Sequence, residues 1–325
     1  MCPMSWQSRV ACWLLRWQFR PETLRPVLDP ARARRFTDLR MRTIVPRRAP
    51  SGYRLRQCYG AGDAPLRGEW LERTDVPAGG ATGPTLLYFH GGGYYFCSTK
   101  THRALVFGLT KRARVRSFSL DYRLAPENRF PAALDDALAA YRRLIALGTR
   151  PESIVLGGDS AGGGLALATL VALRDAGEPL PAGAILFSPW TDLAGSGDTL
   201  RTHDGIDPMF AGAALPKAAK LYLGDTPATH PYASPLYADF SGLPPLYIQV
   251  GSTEVLLDDS RRVADKARAA GVPVEIEIWP GMPHVWQLYT PMLPESRDAL
   301  DRAAAFLRRV AVERAVQRVG EPSIA

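Results

Sequence analysis

The chain has 325 residues, of which 46% are hydrophobic and 22% are charged, a balance that is typical of globular proteins and excludes a disordered or collagen-like chain. The net charge of +8 is unevenly distributed: residues 1–56 hold 13 arginines, no lysine and three acidic residues, hence +10, and the other 27 basic and 29 acidic residues leave −2. A near-neutral body disfavours a basic nucleic-acid-binding face. We predict no nucleic-acid partner.

The four cysteines, Cys2, Cys12, Cys58 and Cys97, are too few for a disulfide framework and show no CxxC spacing. They fit a reducing compartment, and the N-terminus lacks the apolar core of a signal peptide, so we expect a cytoplasmic protein. No segment approaches the roughly 18 apolar residues of a membrane span. The sequence leaves the oligomeric state open, and a homodimer is among the alternatives.

The first 50 residues are predicted to form an N-terminal cap segment. Trp6, Val10, Trp13, Leu14 and Trp17 recur at spacings of three and four, which places one apolar stripe on a helix. Three following prolines predict two short helices with a bend between them. We expect the stripe to pack on the protein's own body. A lid over an active site and, less favoured, a helix on a membrane surface are the alternatives, because arginines accompany the tryptophans.

Residues 51–325 are predicted to form one α/β catalytic domain. An antiparallel strand pair is expected within residues 51–74. Strand-like apolar runs follow at 86–89, 115–120, 154–156, 184–187, 246–250 and 274–278, and helical stretches at 102–113, 131–147, 161–176, 258–270 and 295–316. This alternation predicts a mostly parallel sheet with helices on both faces. The polar stretch at about 195–240 interrupts it and is predicted to be an insertion that adds to the cap.

The strongest local motif is the GxSxG sequence at 158–162, which follows a predicted strand and precedes a predicted helix. Its glycines permit a sharp turn that exposes the hydroxyl of Ser160 at the carboxyl end of the sheet. The alternative is a glycine-rich helix start with a capping serine. The context after a strand favours Ser160 as a catalytic nucleophile.

A second motif, His90-Gly91-Gly92-Gly93, also follows a predicted strand. Consecutive glycines allow backbone N–H groups to approach a ligand closely, and acyl transfer needs such donors for the oxyanion of its tetrahedral intermediate. We predict that the amides of Gly92, Gly93 and Ala161 form the oxyanion hole, and that His90 is structural.

An alkyl hydroxyl needs a base to take its proton, and in this chain order the base follows the serine. His203 and His230 lie in the predicted insertion, whereas His284 follows a predicted strand, so His284 is the expected base. The acid should follow the preceding strand, where Glu254 is preferred and Asp258 is the rival. Asp258 sits where a helix would begin, and acids are favoured there for another reason.

These motifs resemble the bacterial hormone-sensitive-lipase-like (family IV) esterases of the α/β-hydrolase superfamily over roughly residues 70–315. The matching segments are HGGG at 90–93, DYRLAPE at 121–127, GDSAGG at 158–163, SPWTDL at 188–193 and the late histidine. The family's acid motif is Asp-Pro-Leu, whereas this chain has Glu254 followed by Val255. That departure resembles a subgroup described as monoterpene ε-lactone hydrolases and acetyl-hydrolases.

The resemblance implies an α/β-hydrolase fold with an eight-stranded, mostly parallel sheet and a helical cap. It also implies hydrolysis of short- to medium-chain carboxylic esters or lactones, with no cofactor and no metal. By position, the side chains expected to line the substrate pocket are those of Tyr94, Tyr95, Cys97, Trp190 and Val285, and packing in the core is the alternative for each. Those expected to brace the oxyanion loop are Asp121, Arg123 and Glu127.

Two other functions stay open from the sequence. Hydrolase folds also serve as non-catalytic receptors for small ligands, although such proteins usually lose part of the triad and this chain keeps all three members. Hydrolysis of an amide or lactam would use the same serine, histidine and acid.

Overall fold

The computed structural model describes residues 4–42, 45–77 and 83–319. Cys2 lies outside the described residues. One sheet of eight strands runs through the molecule in the order β1-β2-β4-β3-β5-β6-β7-β8. The strands are β1 (Tyr53–Cys58), β2 (Gly68–Arg73), β3 (Thr85–Phe89), β4 (Arg116–Leu120), β5 (Ile154–Asp159), β6 (Gly183–Phe187), β7 (Leu246–Gly251) and β8 (Val274–Trp279). Strand β2 pairs antiparallel with β1 and β4, and the remaining pairs are parallel.

Helices lie before, between and after these strands. They are α1 (Trp6–Gln18), α2 (Arg20–Thr23), α3 (Pro30–Met41), α4 (Arg103–Ala113), α5 (Ala132–Ala146), α6 (Ala161–Asp175), α7 (Thr199–Thr202), α8 (Ala214–Leu223), α9 (Leu257–Ala269) and α10 (Pro294–Val319). Each predicted strand and helix of the catalytic body has a counterpart within a few residues. The mostly parallel α/β sheet is therefore confirmed.

Two hydrophobic clusters cover the two faces of the sheet. In β3, Leu87 and Phe89 pack into a cluster with residues of α5, α6 and α9, whereas Leu86 and Tyr88 pack into one with residues of α4 and α10. Successive side chains of a strand point to opposite faces, so a strand that is buried on both faces is apolar throughout. This is why β3 reads as a continuous apolar run rather than as an alternating one.

The parallel strands deliver the motifs to one edge of the sheet. The carboxyl ends of β3, β5, β7 and β8 lead directly into the glycine loop, the serine turn, the Glu254 loop and the His284 loop. Loops at this edge of an open α/β sheet are where such folds place their ligand sites.

The N-terminal segment differs from its prediction in one respect. It forms α1, the single turn α2 and α3, but the tryptophan stripe of α1 faces solvent: Trp6, Trp13 and Trp17 are 71%, 59% and 67% exposed. The opposite side of α1 is buried instead, through Ser8 and Leu15. The expected packing of the stripe on the body is therefore wrong.

The stretch at 195–240 contains α7 and α8 and no strand. The boundaries of the two cap segments and of the catalytic domain stay predictions. Within the described part of the chain, no helix combines the length and the apolar character that crossing a membrane requires.

Candidate active site

Ser160 occupies a strained turn between β5 and α6, with φ 54° and ψ −123°. Its backbone N–H donates to the carbonyl of Phe187 at 2.8 Å, which ties the turn to the next strand. The flanking glycines are required by space: a Cβ at Gly158 would lie 2.2 Å from the Gly162 carbonyl oxygen, and one at Gly162 would lie 2.0 Å from that of Phe89. Contacts this close are sterically forbidden to any side chain. The GxSxG sequence thus has the strand-turn-helix geometry that the motif requires.

His284 and Glu254 form a buried pair at the ends of β8 and β7. Nδ1 of His284 lies 2.7 Å from Oε2 of Glu254. An ionised carboxylate can only accept a hydrogen bond, so Nδ1 carries the proton and Nε2 is left as the basic nitrogen. The second oxygen, Oε1, accepts from the backbone N–H of Gly251 at 2.6 Å and from the hydroxyl of Ser188 at 2.7 Å. Both carboxylate oxygens are therefore engaged, and the carboxylate plane is fixed.

The rival acid is engaged elsewhere. Asp258 lies in the first turn of α9, where its Oδ2 accepts from the backbone N–H of Thr199 at 3.0 Å. Its other oxygen lies 3.8 Å from the guanidinium of Arg261. The geometry supports Glu254 over Asp258 as the partner of His284.

The charges around His284 raise its pKa above the ordinary histidine value. Burial lowers the pKa, but the Glu254 carboxylate outweighs it through charge and hydrogen bonding, and Asp207 and Asp159 act in the same direction. Phe210 closes one side of the imidazole, edge to face at 5.0 Å between ring centres. Nε2 is buried and has no hydrogen-bond partner among the described residues.

This pKa predicts the pH dependence of hydrolysis. A general base must be neutral, so activity is absent below the pKa of His284 and rises as the pH passes through it. We expect the acid limb of kcat/KM for a dissolved ester to have an apparent pKa above about 6.5, the ordinary histidine value. Initial rates across the neutral range measure it. An acid limb at or below the ordinary value would show that the Glu254 carboxylate does not outweigh the effect of burial on the pKa of His284.

The glycine loop after β3 is held in a tight turn. The backbone N–H groups of Tyr95 and Phe96 both donate to the carbonyl of Gly92 at 3.0 Å. Gly92 has φ 111°, and a Cβ there would lie 2.1 Å from the Phe96 carbonyl oxygen. Gly93 also has a positive φ, of 56°. Gly92 and Gly93 line the same cavity as Ser160 and His284, and Ala161 is the first residue of α6.

Buried polar groups support this loop from below, and sequence reasoning missed most of them. Asp159 accepts from the hydroxyl of Tyr88 at 2.7 Å and lies 3.1 Å from Nε2 of His102. The hydroxyl of Tyr122 donates to the carbonyl of His90 at 2.7 Å, and the two rings stack at 4.4 Å. Burial lowers the pKa of His90 to about 3, so this ring is neutral. These contacts support the structural role predicted for His90.

Of the three residues expected to brace the loop, only Glu127 is linked to it, and Arg34 makes the link. The guanidinium of Arg34 binds both oxygens of Glu127 at 2.8 and 2.7 Å and donates to the carbonyls of Tyr95 and Ala125 at 2.9 Å. The other two expectations are corrected by the structure. Asp121 lies 3.3 Å from Arg67, and Arg123 pairs with Asp136 at 2.8 Å.

One cavity of about 820 Å³ contains the site. Its floor includes Ser160 and His284, and Tyr95, Cys97, Trp190 and Val285 line it. The roof consists of residues from α1, α2, α3 and the loop before α8. Cavities of this size hold small organic ligands.

Tyr94 does not line this cavity, contrary to expectation. Its ring is buried and stacks on Tyr222 of α8 at 3.8 Å between ring centres. Among the described residues, no three His, Cys, Asp or Glu side chains are grouped closely enough to hold a metal ion.

Comparison with known proteins agrees with this geometry. A family model described as "alpha/beta hydrolase fold" matches residues 86–288. An acetyl-hydrolase from Streptomyces hygroscopicus is 51% identical over 226 residues, which cover 70% of this chain and 76% of that protein. An esterase from Acinetobacter venetianus is 37% identical over 243 residues, 74% of this chain and 80% of that protein.

A solved structure agrees as well. The crystal structure of an esterase from the bacterial hormone-sensitive lipase family matches with a TM-score of 0.85 and 39% identity, and the match covers 95% of this chain and 100% of that one. The chain therefore belongs to the α/β-hydrolase family, within the group of bacterial hormone-sensitive-lipase esterases, and is a carboxylic ester hydrolase.

Proposed function

We propose that this protein is a serine carboxylesterase that hydrolyses short- to medium-chain esters or lactones through an acyl-enzyme. The observation that carries the proposal is the hydrogen-bonded His284–Glu254 pair, which shares one cavity with Ser160 and the two glycines of the oxyanion loop. A serine, a histidine paired with a carboxylate and a glycine loop are the groups that nucleophilic acyl transfer needs, and their presence around one cavity supports the proposal.

In the first half-reaction, Oγ of Ser160 attacks the ester carbonyl carbon while its proton passes to Nε2 of His284. The carbonyl oxygen becomes an oxyanion, which the backbone N–H groups of Gly92, Gly93 and Ala161 stabilise. The imidazolium, stabilised by Glu254, returns the proton to the leaving oxygen as the carbon–oxygen bond breaks. An alcohol leaves, and the acyl group stays on the serine.

In the second half-reaction, water attacks the acyl carbon. His284 takes a proton from the water and then gives it to Oγ of Ser160, so the acid is released and the enzyme is restored. With a lactone, the leaving oxygen stays tethered to the acyl group, and the product is a hydroxy acid. The names of the relatives support ester and acetyl substrates. The lactone substrate is supported only by the resemblance of the segment around Glu254 and Val255 to the subgroup described as monoterpene ε-lactone hydrolases and acetyl-hydrolases.

Chain-length preference tests the proposal. The cap closes over a cavity of about 820 Å³, so we expect hydrolysis of p-nitrophenyl esters to be fastest for short or medium acyl chains and slow for palmitoyl. The rates are read from the absorbance of the released nitrophenolate, with the Ser160→Ala variant as the blank. A folded protein that hydrolyses none of these esters would favour the receptor function instead. Faster cleavage of the matched p-nitroanilides would favour an amide hydrolase.

A further inference from the structure

The exposed face of α1 continues the lining of the cavity onto the surface. At about 100° per residue, Trp6, Val10, Trp13, Leu14 and Trp17 fall within one arc of about 100°, and all of them are exposed. Large exposed apolar patches are rare on monomeric proteins and mark interaction sites. This face therefore needs a partner.

The orientation of α1 is fixed by its polar side. Both oxygens of Glu295 in α10 accept hydrogen bonds from the first turn: the backbone N–H of Ser5 at 2.6 Å and the hydroxyls of Ser5 and Ser8 at 2.9 and 2.8 Å. Near the other end, the guanidinium of Arg16 donates to the carbonyls of Gly205 and Ile206 at 2.8 and 2.9 Å. These contacts at both ends hold the tryptophans outward.

Several large apolar side chains both line the cavity and reach the surface. We call them the apolar rim, defined as the large hydrophobic residues that are exposed and also line the cavity. They are Trp6, Val10, Leu14, Val27, Leu39 and Met292. Trp13 and Trp17 extend the same surface away from the cavity. The rim and the catalytic cavity therefore form one continuous apolar path.

Cationic side chains flank the rim. Arg9 lies beside the exposed arc of α1. Arg35 of α3 and Arg42, which caps the end of α3, are four residues before and three after Leu39, which places them next to it. All three arginines are exposed. Residues 1–56 carry 13 arginines and three acidic residues. A second copy of the chain would bring a like-charged surface to the rim, and like charges oppose such an association.

We infer that the apolar rim and its arginines dock on an anionic lipid surface, with the cavity opening toward the bilayer. Tryptophan favours the membrane interface because its ring is apolar and its N–H is polar. Arginines near an anionic leaflet add electrostatic attraction. Amphiphilic esters that partition into the bilayer would then enter along the rim. This substrate class rests on the proposed function, whereas the docking does not.

Sedimentation with vesicles tests the docking. The full chain should sediment with vesicles of equal parts phosphatidylcholine and phosphatidylglycerol at low salt, and more weakly with phosphatidylcholine alone. The double variant Trp13→Ser/Trp17→Ser should bind about a hundredfold more weakly, since each tryptophan loses the burial of a large apolar side chain. The double variant Arg9→Gln/Arg35→Gln should lose about fivefold in affinity per arginine, and only for the anionic vesicles.

Matched controls separate this surface from general effects. Leu147→Ser removes an exposed apolar side chain after α5, and Arg268→Gln removes an exposed charge from α9. Both should bind as the parent protein does. None of the four substituted positions of the test variants lines the catalytic cavity, so all variants should hydrolyse dissolved p-nitrophenyl acetate at the parent rate. The Ser160→Ala variant should bind vesicles normally, which separates docking from catalysis.

Three outcomes would overturn the inference. They are no sedimentation of the parent protein with anionic vesicles at low salt, binding that the tryptophan substitutions leave unchanged, and a stable dimer that these substitutions dissociate. The last outcome, seen by equilibrium ultracentrifugation without lipid, would assign the rim to a second copy of the chain.

Discussion

Replacing Ser160 with alanine is expected to lower kcat/KM for p-nitrophenyl butyrate by about 10⁴- to 10⁶-fold, the loss typical of a missing nucleophile in a serine triad. The remaining rate over water would come from binding and the oxyanion donors. The fold should be unaffected, because Ser160 holds its turn through its backbone. Its N–H donates to Phe187, and its carbonyl accepts from Gly164 at 3.0 Å and Trp190 at 2.9 Å.

Ser119→Ala is a matched control for this substitution. Ser119 is a buried serine in β4 that does not line the cavity, so the variant loses the same hydroxyl group away from the reaction. We expect its kcat/KM to stay near that of the parent protein. Thermal unfolding of both variants shows whether the fold is intact. If a folded Ser160→Ala protein keeps a tenth or more of the activity, Ser160 is not the nucleophile.

The features that could be predicted from the sequence are those whose residues are contiguous. The turn at Ser160 is specified within five residues, because its glycines leave room that no other residue would leave. The order of strands and helices can also be predicted from local sequence, since each segment contains its own apolar run or helical periodicity. Only the ends differ: β5 continues to Asp159, whereas the apolar run stops at Leu156.

The features that could not be predicted depend on residues far apart in the chain. The periodicity predicted the apolar stripe of α1 but not which side of the helix faces the body. That orientation depends on the hydrogen bonds to Glu295, which lies 290 residues after Ser5. Tyr94 does not line the cavity because its ring stacks on Tyr222 of α8. The hydrogen bond from Ser188 to Glu254 spans 66 residues and joins two motifs whose contact neither motif predicts on its own.

The assignment of the acid is tested by two substitutions that each remove one negative charge. In Glu254→Gln, the donors Gly251 and Ser188 should hold the amide oxygen at the Oε1 position, so the amide NH₂ faces Nδ1 of His284. The imidazole then has to accept a hydrogen bond at Nδ1, so its proton lies on Nε2, the nitrogen that must take the proton of Ser160. We expect a loss of kcat of about 10⁴-fold, as for an acid-to-amide change in another serine triad.

Asp258→Asn is the matched variant, and its loss of kcat should be much smaller. An asparagine oxygen can still accept from Thr199, and the contact given up is the one with Arg261 at 3.8 Å, an interaction of the kind that contributes about 0–1 kcal/mol near a surface. We expect kcat within a few-fold of the parent enzyme. The pH profile adds a second readout, because Glu254→Gln also removes the charge that raises the pKa of His284. A larger loss in Asp258→Asn than in Glu254→Gln would transfer the role of the acid to Asp258, since only the true partner of the histidine controls its tautomer.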